Sequence, residues 1–302
     1  MKLLSKCLYG LFAMVIFVAC NKDAVSEPEP DPTPGAANDS VKQQQQDTLL
    51  TKAIAWDSTD LGATANTFEY VFDDQKRVKM IVWYYSDTNG VRLPAANTDT
   101  TFQFFYNGAE RTAYRTIGWT LFQTYKTADV LHFYNSNNQI IKDSIYNSPK
   151  SYSSRTYTYL PDKLTTYDVF ITSILPPGYN RDTLQIINNN ITHAKFGFPP
   201  GIGYDVFDIT YDNKINPLTK LNIASNRLIE GGHAFDKNPF LSPGYCKNNM
   251  TQRVAWYSDH PQTIETDLFQ YTYNELNLPV YCKIWYSVYY KSAGRVKYQY
   301  TH

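Results

Sequence analysis

Three things are scarce in this chain of 302 residues: net charge, clustered histidines and apolar runs of membrane length. Lysine plus arginine and aspartate plus glutamate number 28 each, so no net field draws the protein toward nucleic acid. The 5 histidines, at 132, 193, 233, 260 and 302, show no metal-ligand spacing. There is no GxSxG, HExxH, P-loop or GxGxxG, so neither a metal nor a cofactor is expected and no catalytic residue is assigned. His132 lies in an alternating stretch and reads as a packed residue. His233 follows Gly231-Gly232 in a loop, the best place for a functional histidine, although a solvated loop explains it as well. After the first nineteen residues no apolar run approaches the roughly 20 needed for a transmembrane helix.

The N-terminus has what the remainder lacks. Lys2 and Lys6 precede an apolar run from Leu8 to Ala19, which is the length and order of a secretory signal peptide. The run ends in "FVAC", residues 17–20, which resembles the lipobox of bacterial lipoproteins; that resemblance implies cleavage after Ala19 and acylation of Cys20. Residues 21–48 follow, with prolines at 28, 30, 32 and 34 among Glu27, Glu29 and Asp31. Such a segment has nothing to bury and remains an extended, solvated spacer of roughly 30 Å. The expected organisation is a signal peptide at 1–19, a lipidated N-terminus and linker at 20–48, and one β domain at 49–302.

That domain is rich in aromatics: 26 tyrosines, 16 phenylalanines and 5 tryptophans, residues that suit a pleated, half-buried surface. Two phrases are nearly repeated. "FEYVFDDQKRV" begins at Phe68 and "FQYTYNELNLP" at Phe269. In each, aromatics at every second position share one strand face, and an Asx residue, Asp73 or Asn274, follows where a turn would form. The Asp73-Asp74 pair therefore reads as turn chemistry rather than as paired catalytic carboxylates. Weaker copies place turns near Asn107, Asn135 and Asp212, with another at Asn89-Gly90. About half a dozen irregularly spaced hairpins suggest an all-β antiparallel meander, a large curled sheet. One stretch, 216–232, loses period two and reads as a short helix started by Pro217 and stopped by Gly231-Gly232, or as an irregular insert.

The pattern of alternating aromatics closed by Tyr-Asp or Tyr-Asn resembles YD-repeat hairpins. "YDNKINPL" (211–218), "CKNNMTQ" (246–252) and "YTYNELNLPV" (271–280) together resemble uncharacterised Bacteroidetes-type envelope lipoproteins with a lipobox, a proline-rich spacer and a YD-like β domain. The resemblance implies a fold and an outer-membrane location, on the periplasmic side or the cell surface, and transfers no catalytic residue.

Of 4 cysteines, Cys7 leaves with the signal and Cys20 takes lipid. Cys246 and Cys282 remain in an oxidising compartment, where they either form a disulfide or pack as separate small apolar residues. Tyr281, Trp285 and Tyr289 fall on one strand face opposite Cys282 and Ile284, which suggests an aromatic surface for a glycan or an envelope protein. The reading that results is a lipid-anchored, non-catalytic envelope lipoprotein with a binding role. A structural or assembly component of the envelope and a glycan hydrolase are the alternatives. The membrane is reached through the N-terminal lipid, and no nucleic acid is expected as partner.

Overall fold

Alternating polarity from Leu50 to Tyr300 produces strand after strand. The computed structural model describes residues 48–57, 64–94, 100–120, 125–148, 151–172, 178–197, 203–221, 246–258, 262–286 and 293–301. In chain order the strands are β1 (Leu50–Asp57), β2 (Ala65–Phe72), β3 (Val78–Ser86), β4 (Thr100–Tyr106), β5 (Ala113–Thr120), β6 (Tyr125–Tyr134), β7 (Ile140–Ser148), β8 (Ser151–Leu160), β9 (Lys163–Thr172), β10 (Gly178–Ile187), β11 (Asn190–Gly197), β12 (Tyr204–Ile215), β13 (Asn248–Tyr257), β14 (Ile264–Tyr273), β15 (Pro279–Tyr286) and β16 (Ala293–Tyr300). Each strand pairs antiparallel with its neighbour in sequence, and β1 pairs with β16. The meander expected from the sequence is therefore a closed barrel of sixteen strands, more than half a dozen hairpins and with no open edge.

Register around the barrel divides every strand into an inward and an outward parity. Tyr70, Ile81, Phe104, Ile145, Phe207 and Ile284 fall on the inward parity, and each is buried. A round sixteen-strand barrel with short inward side chains would hold water. Here many inward residues are shut off from solvent and form a core, with Leu164, Ile191 and Val296 at 1% exposure or less. Each such side chain contributes about 1.5–3 kcal/mol through burial.

Four turns share one geometry. Asp73, Asp87, Asn135 and Asn274 each accept backbone N–H groups two and four residues on through Oδ1, at 2.8–3.0 Å. The fourth residue of each turn, Lys76, Gly90, Asn138 or Asn277, has positive φ. This is a three-residue loop with a left-handed closing position. Gly90 is required for a second reason: a Cβ there would lie 2.7 Å from Ile54 Cδ1, because the β3–β4 loop folds over the outer face of β1. Asn188 and Asn189, both with positive φ, form the two-residue β10–β11 turn.

The tyrosine before the Asx residue has its own task. Bulges at the turn end leave a carbonyl off the ladder. The last inward tyrosine of the following strand donates its hydroxyl there: Tyr106 to Val78 O (2.8 Å), Tyr134 to Ala113 O (2.7 Å), Tyr211 to Ile191 O (2.7 Å) and Tyr300 to Pro279 O (2.7 Å). At Tyr106-Asn107 and Tyr134-Asn135 a clasp is followed directly by a turn, whereas Phe72 before Asp73 has no hydroxyl and Tyr273 before Asn274 donates to the Asp212 carboxylate.

Asp212 departs from the expectation. No turn forms there, because β12 runs on to Ile215, which pairs with Asn248 of β13. The Asp212 carboxylate instead accepts from Lys214 N (2.9 Å), Asn249 N (3.2 Å) and Tyr273 Oη. The chain leaves the strand at Asn216, whose Oδ1 accepts from Leu218 N at the start of a 3₁₀ helix, Pro217–Leu221. The short helix begins at Pro217 as the sequence suggests. Residues 222–245, with Gly231-Gly232 and His233, lie outside the described residues.

Tyr134→Phe removes one clasp and leaves a carbonyl unsatisfied. It should lower the unfolding free energy by about 1–2 kcal/mol in urea titration, while Tyr146→Phe on the outer wall should change it by under about 0.5. Equal midpoints for both variants would remove the clasp from the account of stability.

Candidate functional site

The inward parity is not uniformly apolar. Thr116 on β5, His132 on β6, Asp143 on β7 and Tyr157 on β8 come from four consecutive strands and meet in the interior. Thr116 Oγ1 lies 2.8 Å from His132 Nε2, and His132 Nδ1 lies 2.7 Å from Asp143 Oδ1. Tyr157 Oη donates to Asp143 Oδ2 at 2.7 Å. Across the ladder Asp143 faces Arg155, which reaches Asp182 on β10 at 3.4 Å. On the other side of the barrel Arg253 of β13 is bonded twice to Asp267 Oδ2 of β14, once through Nε at 2.9 Å.

Hydroxyl, imidazole and carboxylate in that order have the connectivity of a nucleophile relay. Access decides against that use. Thr116 and Asp143 are 0% exposed and His132 is 6%, so no carbonyl can approach the hydroxyl. The network instead satisfies polar groups that burial would otherwise leave costly. Other interior carboxylates are engaged in the same way: Asp182 by Arg155, Asp267 by Arg253, and Glu265 Oε2 by Tyr257 Oη at 2.8 Å. No group of three or more metal-ligating side chains comes together among the described residues.

The two ends of the barrel differ. At the turn end the inward residues Val78, Ile140, Leu164 and Ile191 are buried, and the tyrosine clasps lie above them. Burial pushes the Tyr106 hydroxyl up to about 12, with the nearby Asp73 carboxylate adding to the rise. At the opposite end Asn66, Trp83 and Tyr85 on β2 and β3, and Tyr257, Glu265 and Tyr286 on β13 to β15 are half-buried inward residues. Trp83 Nε1 donates to Asn66 Oδ1 at 3.2 Å, and the Trp83 and Tyr85 rings tilt together at 5.5 Å. Gly294 leaves room for the Tyr286 hydroxyl, which would stand 3.0 Å from a Cβ there. Among the described residues this end combines ring faces with hydrogen-bonding groups, the equipment of a site for a polar, ring-containing ligand.

The residues singled out by sequence fall in several places. Tyr281 and Trp285 do share the outward parity of β15, with Cys282 and Ile284 inward, so they lie on the outer wall and not inside the barrel. Cys20 and Tyr289 lie outside the described residues. Cys246 and Cys282 are both buried and are not bonded to each other. Their surroundings differ. Cys246 Sγ lies 3.1 Å from Tyr211 Oη beside the β12–β13 connection, whereas Cys282 sits mid-strand opposite Tyr271. Burial pushes the Cys282 thiol up to about 12. Sequence reading missed Trp83, Asn66, Tyr257 and Glu265. Their inward parity was visible in the alternation, but their clustering depends on barrel closure.

No family profile matches the chain, and no curated protein matches it in sequence. Solved structures do match in fold. The chain has the fold of a porin-like protein. The crystal structure of that porin-like protein, from Bacteroides uniformis ATCC 8492, superposes with a TM-score of 0.55 at 11% identity, covering 83% of this chain and 98% of the other. A second porin-like protein, from Bacteroides vulgatus ATCC 8482, gives 0.45 at 12% identity over 84% of this chain and 99% of that one.

Two outcomes follow from the interior. Asp143→Ala strands His132 and Tyr157 without their acceptor and should cost about 3 kcal/mol in chemical denaturation; a cost below about 1 kcal/mol would show that the network adds little. A chain begun at Asn21 should resist a thiol reagent while folded, since the thiolate is the reactive form, and take up two alkyl groups when denatured without reductant. No uptake on denaturation would restore the disulfide.

Proposed function

We propose that the protein is a lipid-tethered, non-catalytic binding module of the cell envelope, anchored at Cys20 on the outer membrane and taking a ligand at the end of its barrel that carries Trp83, Tyr85 and Tyr257. The observation that carries this reading is the polarity of the wall. A barrel embedded in lipid turns an apolar band outward, and each Arg or Lys at mid-depth costs about 2–4 kcal/mol. In this barrel the apolar parity faces inward, and Glu69, Gln103, Arg115, Lys142, Lys195 and Lys283 face outward in mid-strand. Such a wall belongs in water, so contact with a membrane needs a separate anchor, and the lipobox and spacer supply one. No helix among the described residues is long and apolar enough to cross a bilayer.

The placement of the termini supports the rest. Leu49 and Thr301 are hydrogen-bonded to each other at the turn end. A tether arriving there joins the barrel at the end away from Trp83, Tyr85 and Tyr257. Glycan is the ligand class this lining fits best, since Trp83, Tyr85 and Tyr257 offer stacking faces while Asn66 and Glu265 offer polar edges.

The test separates anchoring from embedding. Full-length protein should need detergent for extraction. A chain starting at Asn21 behind an ordinary cleavable leader should leave the membrane in a high-salt wash, because screening removes any remaining electrostatic contact. If that chain still requires detergent, the barrel itself is in the bilayer and the reading fails. On a glycan array Trp83→Ala combined with Tyr257→Ala should abolish whatever retention the unmodified chain shows.

A further inference from the structure

The net charge of zero hides a segregation on the outer wall. The outward residues of β15 and β16 include Lys283, Arg295 and Lys297. Lys283 and Arg295 stand directly opposite each other across the β15–β16 ladder, and Lys297 stands opposite Tyr281. Like charges so placed destabilise a sheet. Several basic side chains elsewhere on the wall have partners. Arg115 and Lys126 share Asp129, His193 has Asp208 at 2.6 Å, and Lys195 sits 3.8 Å over the Tyr204 ring. From β13 through β16 no outward strand residue among those described is a carboxylate, so the three cations have no protein counter-charge there.

The same wall carries exposed apolar side chains. Leu268 is 46% exposed, and its cross-strand partner Trp285 is 41% exposed. Ile264, four residues before Leu268 on β14 and on the same parity, is 53% exposed. Tyr281 tilts against Trp56 of β1 with ring centroids 6.4 Å apart. Aliphatic, indole and cationic groups thus share one face running along the barrel.

We propose that this face, the outer wall of β14 to β16, docks on an anionic lipid surface. The cations meet headgroup phosphates, and Trp285, Leu268 and Ile264 enter the boundary between headgroups and acyl chains. Charge complementarity commits the face to an anionic partner. The aliphatics favour lipid over an acidic glycan, because Ile264 and Leu268 gain by leaving water for acyl chains and offer nothing to a sugar edge. Indole and basic side chains are the usual contents of such an interface. The contact is peripheral and stands independently of the tether at Cys20, although a tethered barrel would be held where docking can occur.

The test uses the unlipidated chain beginning at Asn21, co-sedimented with phosphatidylcholine vesicles with and without phosphatidylglycerol. Binding should require the anionic lipid and should vanish near 1 M salt, where the Debye length falls to about 3 Å. Lys283→Glu, Arg295→Glu and Lys297→Glu together should cut partitioning by at least about a hundredfold, roughly fivefold for each lost charge. Trp285→Ala with Leu268→Ser should weaken binding several-fold without changing the thermal midpoint. Equal binding to neutral vesicles, or full binding by the triple variant, overturns the proposal. Retention on an acidic polysaccharide with indifference to vesicles also overturns it and assigns the face to a glycan. Because no lipid anchor is present, these outcomes are independent of whether Cys20 is acylated.

Discussion

The ladder between β1 and β16 joins the first strand to the last, with Ala53 opposite Tyr298 and Ala55 opposite Val296. Without it the meander would end in two long rows of unpaired N–H and C=O groups, which invite pairing with other chains. With it every strand has two neighbours, and the two faces of the sheet become an inside and an outside. The separation of aromatic from polar residues along each strand has consequences only because of that closure. Leu49 and Thr301 extend the pairing one step past the strands, with Thr301 N donating to Leu49 O at 2.9 Å.

Closure also sets the conditions under which interior polar groups are tolerated. Asp143 lies at 0% exposure between a histidine and a tyrosine, and Arg253 and Asp267 are almost as deep. Pairs of this kind gain little net free energy over apolar residues of the same size, because desolvation offsets most of the attraction. Their cost is asymmetric: intact they are close to neutral, and broken they are expensive. A network spanning β5 to β8 therefore penalises slips of register more than it adds to stability. A one-residue slip would turn His132 outward and leave Asp143 alone in the core.

This distinction explains what the sequence made legible. Phe68, Tyr70 and Phe72 announce a strand by themselves, and Asp73 announces the turn, because both signals act over two to four residues. The turns at Asn89-Gly90, Asn135 and Asn274 were legible for the same reason. Asp212 was misread because its local phrase, Tyr-Asp-Asn, matches the others. What keeps the strand going there is pairing with Asn248 and a carboxylate shared with Tyr273, more than 30 residues away in sequence. The clasp hydroxyls, the His132 network and the ring of Trp83, Tyr257 and Glu265 were illegible on the same ground, since each joins residues brought together by the ladder. The two cysteines show how little compartment says alone: both thiols are buried, in different surroundings.

Which way a closed sheet turns its apolar parity decides its solvent. The hydrogen-bond pattern of the wall is indifferent to that choice, since shifting the polarity of every strand by one residue would leave all the ladders intact while exchanging core and surface. Here Ile284 and Cys282 face in while Lys283 and Trp285 face out, and the turn end is sealed by hydroxyls donated to carbonyls that bulges have freed. The bulges cost ladder bonds that the tyrosines replace, and in exchange the strands can bend inward at that end. The opposite end has half-buried rings in place of such clasps. The clasps are therefore a consequence of where tyrosine ends an inward row, a feature written into single strands and expressed only when sixteen of them close.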